Sequence, residues 1–246
     1  MRLSKSYRKK ATRLSNKMEN ETQHQKQEKL FEQHVLEVAG VTFIILLLLF
    51  GISYKFYFST IPEFMTKTGI YIIYLLLAVV ANATAMYHLK SYRNAVTCMT
   101  GMMIGMTLGM ITGFTFGYVV GATNGMFMGS VYGMIIGIGV GAWSGKCCGI
   151  MGIMEGMMAG LMGGTMGAML SVMLLADHIL IFTPIFIAAC LSILVGLGYL
   201  VYQEHSSSDE KIIKPYPLQH FFSACLIISA ITVWIMIYGP KSGIVS

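Results

Sequence analysis

Seven long runs of this chain contain almost no charged residue, and that limits the folds open to it more than any other feature. They lie near 38–54, 68–88, 96–120, 125–143, 150–175, 179–202 and 218–239. Crossing the hydrocarbon layer takes ~20 apolar residues of helix. None of the runs alternates with the period of two that a barrel strand requires. Helices satisfy every backbone group within one segment, so the runs read as membrane-spanning helices. Composition agrees, since only 11% of the 246 residues are charged and mean hydropathy is +0.68. Soluble domains carry about 25% charged residues. The expected fold is therefore all-α: a polytopic membrane bundle of about seven transmembrane helices.

The reading divides the chain into a polar leader at 1–37, two helices within 38–94, three helices within 95–175, and two more within 176–246 joined by a polar loop at 203–217. The leader shows no cleavage site after its first apolar run, so that run is expected to stay as a signal anchor. Arg2, Lys5, Arg8, Lys9, Lys10, Arg13 and Lys17 make the leader basic. Basic residues favour the cytoplasmic side. With the N-terminus inside and seven spans, fourteen Lys and Arg fall on the inner side and only Lys55, Lys67 and Lys241 on the outer. The expected setting is the plasma membrane, with the N-terminus cytoplasmic, the C-terminus outside, the lipid bilayer as partner and no nucleic acid bound.

From Gly101 to Gly149 every fourth residue is glycine, thirteen in succession, after which the phase slips by one residue to Gly152, Gly156, Gly160 and Gly164. Residues i and i+4 share a helix face. In lipid, small residues on such a face let backbones approach, and that contact is a main source of helix association. Gly101, Gly105, Gly109 and Gly113, with the four after the slip, are thus expected to pack helices three to five into a glycine-zipper core. Spacing leaves open whether the stripes meet within one chain or build a homo-oligomer through the glycine faces.

Sixteen methionines lie between 99 and 173. In the fifth run Met151, Met154, Met158, Met162, Met166, Met169 and Met173 fall within an arc of about 120° at 100° per residue, and the glycines take the other side. Met99, Met102, Met103, Met106 and Met110 share one face of the third run. Thioether sulfur is a soft ligand suited to Cu(I), and a row of weak sites allows an ion to enter and leave. The other reading is packing, because methionine fills irregular gaps. Glu155 lies inside the methionine arc and is the only acid between 64 and 176. A carboxylate at membrane depth usually faces a cavity or a partner, which makes Glu155 the candidate ion-coupling group. It also lies near enough to Lys146 to pair with it. Cys147 and Cys148, beside Lys146 and a helix start, could hand a soft ion to the row. Asp177 and His178 close the other end of that run.

Residues 145–174 resemble segments of bacterial Gly/Met-rich multi-pass proteins of unassigned activity. Met154, Met158 and Met162 with Gly152, Gly156 and Gly160 are similar to the M-x-x-x-M and G-x-x-x-G patterns of Ctr-type copper transporters. Here both patterns lie on one helix, and seven spans are expected in place of three. What the resemblance implies is a thioether path for copper. No P-loop, Gly-x-Ser-x-Gly or His-Glu-x-x-His motif occurs, so no enzymatic activity is expected. Two functions follow from the residues. One is handling or transport of a soft metal such as Cu(I) on a methionine-lined face. The other is a non-catalytic membrane scaffold whose Gly/Met core serves only packing.

Overall fold

A computed structural model describes residues 37, 40–49, 51, 69–92, 98–175, 179–207 and 218–239. The chain divides after Val41 into two units, and the architecture below is that of the second. The described residues form seven helices and no strand. They are α1 (Gly40–Leu49), α2 (Ile70–Tyr92), α3 (Cys98–Asn124), α4 (Met126–Ser144), α5 (Gly149–Leu174), α6 (Ile179–Ser207) and α7 (Leu218–Tyr238). Five of them, α2 to α6, are long and apolar enough to cross a membrane, while the apolar stretches of α1 and α7 are shorter. The all-helical membrane fold expected from the apolar runs is thus present, with the polar leader and the 208–217 segment outside the described residues.

α3 is the axis of the molecule. It is 72% buried, against 28% for α4 and 39% for α5. One side of α3 carries the glycine stripe and packs against α4 and α5. Against its other side lie α2, α6 and α7. There the contacts come from large side chains. Phe114 and Tyr118 of α3 pack at a tilt against Phe186 of α6 with ring centroids 5.1 and 4.7 Å apart.

The glycine side is built in layers. Gly105, Gly109, Gly113, Gly117 and Gly121 of α3 face Gly145, Gly141, Gly137, Gly133 and Gly129, so that the numbers in each facing pair sum to 250. The centre of that register is Gly125, the single residue between the two helices, whose φ of 101° is the left-handed region that glycine alone enters freely. A period of four that runs unbroken through the reversal therefore sets glycine against glycine. α5 joins each layer through Gly152, Gly156, Gly160, Gly164 and Ala168. Its glycines face those of α4 with numbers that sum to 297, an odd total. An unslipped ladder would have put its glycines at 153, 157 and 161, where Ile153, Met157 and Leu161 stand, and left positions 152, 156 and 160 without glycine. The one-residue slip, made across the short 3-10 turn Gly145–Cys148 and a reversal at Gly149 with φ 72°, is what keeps all three stripes on one line.

The approach is backbone on backbone. A methyl group added to Gly109 or Gly113 would lie 2.7 Å from the carbonyl oxygen of Gly156 or Gly160, and one on Gly117 would lie 2.6 Å from that of Gly164. At such range the glycine Cα–H groups point at carbonyl oxygens, contacts worth about 0.5–1 kcal/mol each. Gly139, which lies off the ladder, has nothing within 4 Å of an added methyl group.

Polar side chains tie the outer helices to this core. Thr112 Oγ1 donates to Asn82 Oδ1 at 3.1 Å, joining α3 to α2. Tyr118 shares a hydrogen bond with Thr183 of α6 at 2.9 Å, and Tyr132 of α4 shares one with Thr232 of α7 at 2.7 Å. Asn124, at the Gly125 end of α3, donates to the Ile235 carbonyl of α7 at 2.9 Å. Each threonine also bonds a carbonyl four residues back in its own helix. Losing the partner therefore orphans no buried hydroxyl. Tyr132→Phe and Asn82→Leu should each lower stability by only about 0.6–1.7 kcal/mol, the range measured for interhelical bonds in membranes. Unfolding in detergent measures this, and a loss above 3 kcal/mol from either change would contradict it.

Candidate functional site

With glycine turned inward, the methionines of α5 turn outward. Met151, Met154, Met158 and Met162 are 67%, 63%, 70% and 51% exposed, and Met166, Met169 and Met173 continue the stripe as exposed residues. On α3, Met99, Met103, Met106 and Met110 are exposed too. The α3 stripe and the first half of the α5 stripe belong to one end of the bundle. Gly105 abuts Gly152, and a methyl group on Gly163 would meet the backbone of Met110. The early turns of α3 and α5, which bear Met99 to Met110 and Met151 to Met162, thus run side by side.

The α3–α5 interior offers no room for an ion, because glycine backbones occupy it at every layer. A cavity of about 20 Å³ between α2 and α6 is lined by Ala85, Leu89, Leu194, Leu197, Gly198 and Val201, all apolar. That is room for no more than one water, and no polar side chain lines it to hold one. The methionine sulfurs of α5 lie on the outward face of the bundle.

Glu155 is the seventh residue of α5 and is half-exposed, within the methionine stripe. Lys146 is exposed in the 3-10 turn. No ion pair joins them among the described residues, although Lys146 follows Gly145, which abuts Gly152, and Glu155 stands only three residues above Gly152, roughly 4.5 Å along the axis. Thr165, also in the arc, returns its hydroxyl to the Leu161 and Met162 carbonyls of its own helix.

Cys148 Sγ donates to the carbonyl oxygen of Cys98 at 2.8 Å, across fifty residues of chain. Cys98 is exposed and Cys148 half-buried, while Cys190 and Cys225 are buried and far along the sequence. The side chain of Cys147 lies outside the described residues, as do Asp177 and His178. No group of three or more His, Cys, Asp or Glu capable of holding a metal occurs among the described residues. Gly101, Gly105, Gly109, Gly113, Gly152, Gly156, Gly160 and Gly164 are all buried.

Sequence reasoning passed over the polar residues that join the helices. Asn82 in the middle of an apolar run was the available signal, since an amide in a membrane helix seeks a partner on a neighbouring one. The nearness of Cys98 to Cys148 had no signal at all at that separation. Comparison with known proteins finds no match, whether to a protein-family model, a curated protein or a solved structure.

Proposed function

We propose that this membrane protein handles a soft metal cation, with Cu(I) the concrete case, on the outward methionine face of α5 and α3. One observation carries the reading: the methionines are on the surface of the bundle and the glycines are inside it. Methionine that served only to fill the α3–α5 core would be buried. Lipid contact makes no demand for sulfur over the carbon of leucine, whereas a soft ion does. The reading involves no enzymatic step. Glu155, set in the same stripe, is the group that would couple ion movement to a proton or offset the charge of the ion. Metal content and copper or silver sensitivity of cells carrying wild type or Met154/Met158/Met162→Leu test the proposal.

A second reading rests on Glu155 itself. A carboxylate on an outward face at membrane depth, with no ion pair among the described residues, is costly unless something meets it. A scaffold that assembles through this face would supply the partner. The glycine faces of α3 to α5 are filled within one chain, so copies would meet at the methionines. Chemical cross-linking in membranes of wild type and Glu155→Gln separates the two readings. Loss of oligomer with unchanged metal handling favours the scaffold.

For topology we propose a cytoplasmic N-terminus and an external C-terminus in the plasma membrane, on the fourteen-to-three bias of basic residues. Cysteines introduced at Ser4 and Ser246 should label from opposite sides. Labelling of both from one side would sink the arrangement.

A further inference from the structure

The Cys148 thiol meets the backbone of Cys98 where both methionine stripes begin. Cys98 opens α3 and Cys148 closes the 3-10 turn before α5. The layer of Gly105, Gly145 and Gly152 draws these two chain ends together. The Sγ of Cys148 lies 2.8 Å from the carbonyl oxygen of Cys98, and that oxygen belongs to the residue that carries the second sulfur. The Cys98 side chain springs from the α-carbon next to that carbonyl, so the second sulfur belongs to the same neighbourhood. A two-coordinate site with metal–sulfur bonds of about 2.3 Å needs the sulfurs about 4.6 Å apart. Beyond the pair, Met99 is 73% exposed next to Cys98, and Met151 is 67% exposed three residues after Cys148.

We propose that Cys98 and Cys148 form a two-thiolate site for a soft monovalent cation, Cu(I) or Ag(I), at this end of the bundle. The proposal rests on the soft-cation reading above and gives it a point of capture. On binding, each thiol releases its proton to water and both sulfurs bond the ion, so one cation enters and two protons leave. The complex carries one negative charge, and Lys146, exposed two residues before Cys148, offsets it. Thiolate binds soft ions more tightly than thioether does. The cysteines would therefore hold the ion first, and the neighbouring methionines would take it in weaker steps along α3 and α5.

The probe is silver ion added to the reduced full-length protein in detergent, with excess free methionine as competitor. Wild type should retain one silver per chain after desalting. Cys98→Ser and Cys148→Ser should each weaken retention at least tenfold. Unchanged retention in either variant overturns the site. Wild type alone gives an independent readout should a serine variant fail to fold: silver should protect Cys98 and Cys148 from alkylation, and continued reactivity of either thiol in silver overturns the proposal. If silver is lost on Met154/Met158/Met162→Leu but not on Cys98→Ser, the methionine reading stands and the thiolate site falls. If wild type retains no silver, both fall.

Discussion

Gly137→Ala should unfold the bundle or leave it badly destabilised, while Gly139→Ala, two residues away on the same helix, should make the protein slightly more stable. A methyl group at Gly137 would lie 2.7 Å from the Gly160 carbonyl oxygen and 2.9 Å from the Gly113 Cα, whereas one at Gly139 meets nothing within 4 Å. The atoms struck at Gly137 are backbone in two helices at once, and no side chain can rotate aside. Overpacking of a tight core typically costs 1–3 kcal/mol. With two backbones to displace, about 3 kcal/mol or more is expected, against a total stability on the order of 5–15 kcal/mol. Gly139 gains only the helix preference of alanine over glycine, about 0.8–1 kcal/mol. Thermal midpoints in one detergent compare the pair. Equal shifts would mean that the layers are not in van der Waals contact. Gly160→Leu should be worse than Gly137→Ala, because its side chain would run into the Gly137 backbone.

The largest functional effect is expected from Met154/Met158/Met162→Leu. All three side chains are exposed, at 63%, 70% and 51%. Replacing them leaves the glycine core untouched, and leucine keeps most of the volume. The protein should therefore accumulate and purify like wild type. If sulfur on this face handles a soft cation, copper or silver handling by the cells should fall to the level of cells without the protein. Unchanged handling in a folded triple variant would remove the soft-metal reading. Where handling does fail, Glu155→Gln isolates the carboxylate. Loss there with methionines intact identifies Glu155 as the coupling group, and wild-type behaviour excludes it.

The helices and the glycine contacts were legible because each has a simple physical cause. Apolar length marks a span, and a four-residue glycine period marks a face that packs closely. The partner of each glycine was not legible. It depends on Gly125 as the one-residue reversal, and on the slip from Gly149 to Gly152. The methionine arc was readable from Met151 to Met173, but not its direction. In water an apolar arc turns inward, whereas in lipid inward and outward faces are both apolar and the arc alone does not choose. Lys146 and Glu155 were close enough in sequence to pair, yet no ion pair joins them among the described residues.

A ladder with identical rungs has a drawback. If α4 slides along α3 by one rung, glycine again meets glycine, and the interface itself scarcely registers the shift. The stripes supply adhesion without a unique alignment, as a screw thread holds a nut at any turn. Uniqueness has to come from the irregular features: Gly125 as a reversal too short to migrate, and Asn82, Tyr118, Asn124 and Tyr132, each aimed at one partner. These side chains contribute little free energy one by one, yet together they act as the pins that select one alignment from a set of near-equals. Their joint removal would leave α2, α6 and α7 free to reseat on the core, while Gly125 still holds α4 in place on α3.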